Sequence, residues 1–177
     1  MIISVLKPDD FNLLVVYENE NKQHLSPWQP IRKSDYFSVE QTKNRLKESL
    51  NNFHLGTSLT LVGFSHDRSA IICTCTFSNI VYGAFQACNL GYSVDEKSQG
   101  KEYMFEMLQA SLSYVFSEVK LHRVMANYMP ENKRSEQLLT RLGFQKEGIA
   151  KSYLKIAGAW QDHVLTSKIN PSSIVSL

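Results

Sequence analysis

The sequence predicts an α/β fold, helices laid on one mixed β-sheet, and three runs of residues carry the prediction. From Leu90 to Phe144 a strand ends in a glycine-containing loop that opens a helix, and a second strand and helix follow. Leu59–Phe64, Ala70–Phe77 and Gln86–Val94 are β-rich runs that read as a meander, the first two joined by the hairpin connection Ser65–Ser69. Phe144–Ile156 and Trp160–Ile169 are two further strands that turn at Ala157-Gly158.

Taken in order, Ile2–Leu6 is a short strand. Pro8, Asp9 and Asp10 then start a helix through about Glu18, because the first turn needs no proline N–H and its positive dipole end favours acids. Asn19–Ser34 is polar, carries two prolines around Trp28 and reads as a loop. The spacing of Phe37, Leu46, Leu50 and Phe53 predicts a second helix from about Asp35 to Phe53, with a solvated charged face. Past the meander, Tyr103, Met104, Met107, Leu108, Leu112, Val115 and Phe116 recur at helical spacing, so a helix spans about Gly100–Glu118 with its methionines in the core. His122–Tyr128 is strand-like, and Asn132–Leu142 is a helix with Leu138, Leu139 and Leu142 on one side, stopped by Gly143 as a left-handed cap. The order is β-α-α-β-β-β-α-β-α-β-β.

At 177 residues the chain suits one domain, residues 1–177, with a single substantial core. With 43% apolar and 20% charged residues it has the balance of a globular chain, and no stretch approaches the roughly 20 apolar residues of a membrane span. Met1–Pro8 lacks a basic segment and a long apolar run, so no signal peptide is read there and a cytoplasmic location is expected. Cys73, Cys75 and Cys88 lie in apolar strand runs without zinc-site spacing and read as buried free thiols. A net charge of +2 and the lack of a dense Lys/Arg run give no nucleic-acid motif.

The chemistry points to an anion site. The loop Gln99-Gly100-Lys101-Glu102-Tyr103-Met104 follows a strand and opens a helix, so its unpaired N–H groups aim beyond the strand, where phosphate is the usual guest. Pro130–Ser135 is a second helix start whose polar side chains face the same gap, with Asn132 placed to cap it.

That order, with Gln99-x-x-x-x-Met104 opening the third helix and Asn132-x-x-Ser135 opening the fourth before Leu142-Gly143-Phe144, resembles the GNAT acetyltransferases. Pro27-Trp28-Gln29-Pro30, Phe77-Ser78-Asn79, Leu90-Gly91-Tyr92-Ser93, Met125–Pro130 and Trp160-x-Asp162-His163-Val164-Leu165 are similar to its RimJ branch, the ribosomal-protein alanine N-acetyltransferases. The resemblance runs from Met1 to about Ile169. It implies a mostly antiparallel seven-stranded GNAT sheet with four helices, acetyl-CoA as cosubstrate and no metal. Its implied acceptor is a ribosomal-protein N-terminus, the alanine of the fifth small-subunit protein. In such enzymes, freed backbone groups at the positions of Tyr92, Ser93 and Val94 bond the pantetheine arm. Loop N–H groups at Gln99, Gly100, Lys101, Glu102 and Tyr103 hold the pyrophosphate, and Asn132 and Ser135 touch coenzyme A.

Two departures matter. The family pattern Q/R-x-x-G-x-G/A puts its first glycine on Glu102, so that carboxylate is expected to point away from the phosphates and meet Lys101 or solvent. Leu139 stands where many GNAT enzymes have a tyrosine that protonates the leaving thiolate, which makes Ser135 the candidate general acid. The position of a sister branch's glutamate base is Leu154, and no base is assigned. Trp28 reads either as a wall of the acceptor pocket or as core, and Asn79 as an acceptor contact. Asp162 and His163 are adjacent on a strand, so they face opposite sides and form no dyad. Two rival functions stay open: acetylation of a polyamine or antibiotic amine, and a non-catalytic CoA-binding role in ribosome assembly.

Overall fold

The strands form one seven-stranded sheet in the order β1-β2-β3-β4-β5-β7-β6, in a computed structural model that describes residues 1–173. They are β1 (Ile2–Val5), β2 (Leu59–Phe64), β3 (Ile71–Val81), β4 (Ala87–Val94), β5 (Arg123–Met125), β6 (Gln145–Ile156) and β7 (Ala159–Ile169). Every neighbouring pair is antiparallel except β4 with β5. The helices are α1 (Phe11–Glu20), α2 (Lys22–Leu25), α3 (Val39–His54), α4 (Tyr103–Ser117) and α5 (Lys133–Arg141).

There is thus one helix more than expected, a single turn inside the polar stretch read as loop. Asn21 separates it from α1: the buried side chain donates to Tyr17 O at 2.9 Å and accepts the Glu96 N–H at 2.8 Å, tying the break to the chain after β4. Pro8–Asp10 forms a 3-10 turn rather than the first turn of α1, and Ser26–Trp28 forms another. The charged face of α3 is not merely solvated, because Arg45 pairs with Glu18 of α1 and stacks on the Tyr36 ring.

Period-2 alternation splits the core between the faces of the sheet. On one side Met107, Leu108 and Val115 of α4 pack on Phe77, Cys88 and Val124; on the other Tyr17 and Leu46 meet Val62 and Phe64. Each such side chain contributes roughly 1.5–3 kcal/mol by leaving water. All three cysteines are free and buried. No helix among the described residues is long and apolar enough to cross a membrane.

The parallel pairing is short. β4 and β5 share only Ala87↔Arg123, Cys88↔Val124 and Asn89↔Met125. Beyond them β4 runs on to Val94, while the other chain leaves toward β7, where Ala126 N–H donates to Thr166 O at 3.0 Å and Tyr128 bridges Val164. The strand expected over His122–Tyr128 is therefore regular only at Arg123–Met125, since past Met125 its backbone hydrogen bonds go to β7 alone.

Candidate active site

The gap left where β4 and β5 part opens into a cleft of about 790 Å³, walled by Tyr92–Val94, the loop Gln99–Glu102 and the starts of α4 and α5. The loop turns twice through left-handed backbone, at Gly100 (φ 69°) and Glu102 (φ 62°). A Cβ on Gly100 would touch no protein atom within 4 Å, so within the protein it is the backbone conformation that calls for glycine. Among the described residues the N–H groups from Gly100 to Phe105 have no protein partner. Six consecutive donors at a helix start make a ready anion cradle.

Glu102 turns its carboxylate out of the cradle and into solvent, as expected, and its charged partner there is Arg141 rather than Lys101. Arg141, at the far end of α5, clamps both oxygens at 3.1 and 2.6 Å. That hydrogen bond holds the Glu102 carboxyl below its usual range. The same guanidinium lies 4.5 Å over the Phe105 ring. At the loop's other end the Gln99 amide is held between His24 Nε2, 2.7 Å away, and Arg134, which donates to its oxygen.

At the start of α5 the Asn132 side chain accepts the Ser135 N–H at 3.1 Å, so its capping role is real. The Ser135 hydroxyl lies 2.6 Å from the Tyr92 hydroxyl. Burial pushes the Tyr92 phenol up to about 12. Leu139 is fully buried and offers no proton. Ser93 faces the other side of the sheet, where its hydroxyl meets Tyr17 at 2.8 Å and Thr74 at 3.0 Å. Burial drives the Tyr17 phenol well above its ordinary value.

Trp28 is 40% exposed at the cleft rim, a wall rather than core. Asn79 does not join the cleft: a bulge between Ser78 and Val81 breaks the alternation of β3, and Asn79 sits there exposed at φ 52°. Leu154 is exposed on β6. Asp162 pairs with Lys151 and accepts the Ser152 N–H, whereas His163 is buried, so the two do face opposite ways. Sequence reasoning missed His24, Arg134 and Arg141. The signal for the arginines was present, since Arg134, Leu138 and Arg141 share one face of a helix at spacings of four and three.

An open strand edge leading to a cradle of free N–H groups defines an α/β protein that seats an extended, phosphate-bearing ligand. Residues 1–145 match the acetyltransferase (GNAT) domain, and the chain belongs to that family. It is 45% identical over 172 residues, 97% of this chain and 88% of the relative, to the ribosomal protein uS5-alanine N-acetyltransferase of Escherichia coli. The crystal structure of ribosomal-protein-S5-alanine acetyltransferase from Vibrio fischeri superposes with a TM-score of 0.92 at 38% identity, covering 96% of this chain and 92% of that one. Mycobacterium smegmatis RimJ in complex with CoA-disulfide gives 0.89 at 26% identity, covering 98% and 83%. The fold and the acyltransferase class are those that the resemblance implied.

Proposed function

We propose that this enzyme moves the acetyl group of acetyl-CoA onto the N-terminal alanine of ribosomal protein uS5, in the cytoplasm. The observation that carries the reading is the 45% identity to the Escherichia coli uS5-alanine enzyme across 97% of this chain and 88% of that one.

The cleft supports it chemically. The free N–H groups of Gly100–Tyr103 suit a pyrophosphate, and the unpaired edge of Leu90–Val94 suits an extended pantetheine arm. Holding the thioester there converts a bimolecular attack into one between positioned groups, which supplies much of the rate. An α-amine has a reference pKa near 7.7–8.0, so a fair fraction is neutral at pH 7 and attacks the carbonyl without a strong base. The C–N bond forms, the C–S bond breaks, and sulfur takes the electron pair and then a proton, for which Ser135 is the candidate donor. Of the features that leave a non-catalytic role open, Glu102 at the phosphate loop and the missing tyrosine and base, the Arg141 clamp answers the first by holding the carboxylate away.

A thiol-release assay with an Ala-starting peptide, spermidine and an aminoglycoside tests the proposal. Turnover of the peptide is the expected result. Activity confined to the small amines overturns the acceptor assignment, and no activity with any acceptor favours the non-catalytic role.

A further inference from the structure

We propose that the Tyr92 phenol fixes the Ser135 hydroxyl so that the serine proton faces the cleft, which makes Tyr92 a positioning residue for proton delivery to the leaving sulfur. This rests on the acetyl-transfer reading above and gives Tyr92 a side-chain role beside the backbone role implied by the resemblance.

The two oxygens are 2.6 Å apart, at the short end for an O–H···O bond. A Ser or Thr inside a helix can spend its hydroxyl on the carbonyl four residues earlier. On α5 Thr140 does so, reaching Glu136 O at 2.8 Å. Ser135 sits in the first turn of α5, where the residue four back, Glu131, precedes the helix, and among the described residues its hydroxyl meets Tyr92 alone. A phenol is a far stronger acid than an alcohol, so the shared hydrogen runs from Tyr92 to Ser135. Ser135 Oγ, having accepted, keeps its own proton for another acceptor, and both residues line the cleft. Burial keeps the phenol protonated across the working pH range. The other ionisable group acting on it, the Tyr128 phenol, is itself pushed up by burial and by Glu136.

In the transfer step the C–S electron pair goes to sulfur, which takes the Ser135 proton. The Tyr92 O–H steadies the charge left on Ser135 Oγ, and the proton shed by the newly acetylated nitrogen restores the serine.

Tyr92→Phe keeps the ring and removes the hydroxyl. The expected result is a kcat loss of about 10–100-fold, with coenzyme A affinity by calorimetry within threefold of the parent. Added to Ser135→Ala it should cost less than a further threefold, because the two hydroxyls act as one unit. An unchanged kcat, or losses that multiply, overturns the proposal. A second reading needs no turnover: with tyrosine labelled with carbon-13 at the phenol carbon, the Tyr92 resonance, assigned through Tyr92→Phe, should shift in Ser135→Ala. An unmoved resonance overturns the pairing itself. If no acceptor is turned over by the parent protein, the acetyl-transfer reading falls while the labelling experiment still decides the pair.

Discussion

Replacing Glu102 separates a backbone effect from a charge effect, because glycine and alanine lose the same ion pair to Arg141 but differ in what they ask of the chain. At φ 62° an L side chain costs about 1–2 kcal/mol that glycine does not. Glycine returns roughly 0.4–1 kcal/mol of that through a freer unfolded state. Glu102→Gly should therefore be about 1 kcal/mol more stable than Glu102→Ala, or about 2–4 °C in melting temperature for a chain of this size. Both variants free the Arg141 guanidinium at the cleft edge and remove a carboxylate. Coenzyme A should bind more tightly to both, by less than tenfold, and the gain should shrink in high salt as exposed charges are screened over about 10 Å or less. Thermal melts and calorimetry at two salt concentrations read both effects. Equal melting of the two variants would refute the strain argument, and weaker coenzyme A binding in both would refute the electrostatic one.

Three further outcomes are expected. Ser135→Ala should lower kcat by roughly 10–10⁴-fold with coenzyme A affinity nearly unchanged, as fits a group acting in the transition state; steady-state kinetics with an Ala-starting peptide checks this, and an unchanged kcat leaves Ser135 as a first-turn residue only. Gly100→Ala should destabilise the protein by about 1 kcal/mol, the left-handed penalty less what glycine loses through its freer unfolded state, since the new methyl meets no protein atom within 4 Å, and a chemical denaturation curve measures it. Burial pushes the thiols of Cys73 and Cys88 up to about 12 and that of Cys75 to about 11, so the native state keeps protons that the unfolded chain gives up from the ordinary value of 9.0. The native state then binds more protons than the unfolded one, and stability falls as pH rises from about 9 toward 12. Melting temperatures that stay level from pH 8 to 11, or native thiols that react readily with a disulfide reagent, would contradict that burial.

Elements with strong local patterns were legible in the sequence. The seven apolar positions of α4, the Gly143 stop, the turn at Ala157-Gly158 and the buried cysteines all follow from periodicity and turn chemistry. What escaped depends on residues far apart in the chain. α2 exists because Asn21 is held by Glu96, 75 positions away. The Arg141 clamp on Glu102 and the His24 contact with Gln99 join elements whose relative placement no local pattern encodes. Tyr92 beside Ser135 is of the same kind: each residue was singled out, yet for separate duties, because the distance between their side chains is set by how α5 leans over the end of β4.

The three residue pairs between β4 and β5 form a thin seam, not lengthened, as the three between β5 and β7 are, by the bonds of Ala126 and Tyr128. Among the described residues they are the only rungs joining the four-stranded half, β1 to β4, to the three-stranded half, β5-β7-β6. An extended ligand arm bonded along Leu90–Val94 would supply missing rungs and act as a stitch across that seam. Amide exchange at Leu90–Val94 should then slow on coenzyme A binding, together with exchange in β5 and the adjoining part of β7, more than in the β1–β2 pair at the sheet's far edge. Occupancy of the cleft and cohesion of the two halves would rise and fall together, so each departing product leaves the sheet momentarily looser along the line that the next cosubstrate must enter.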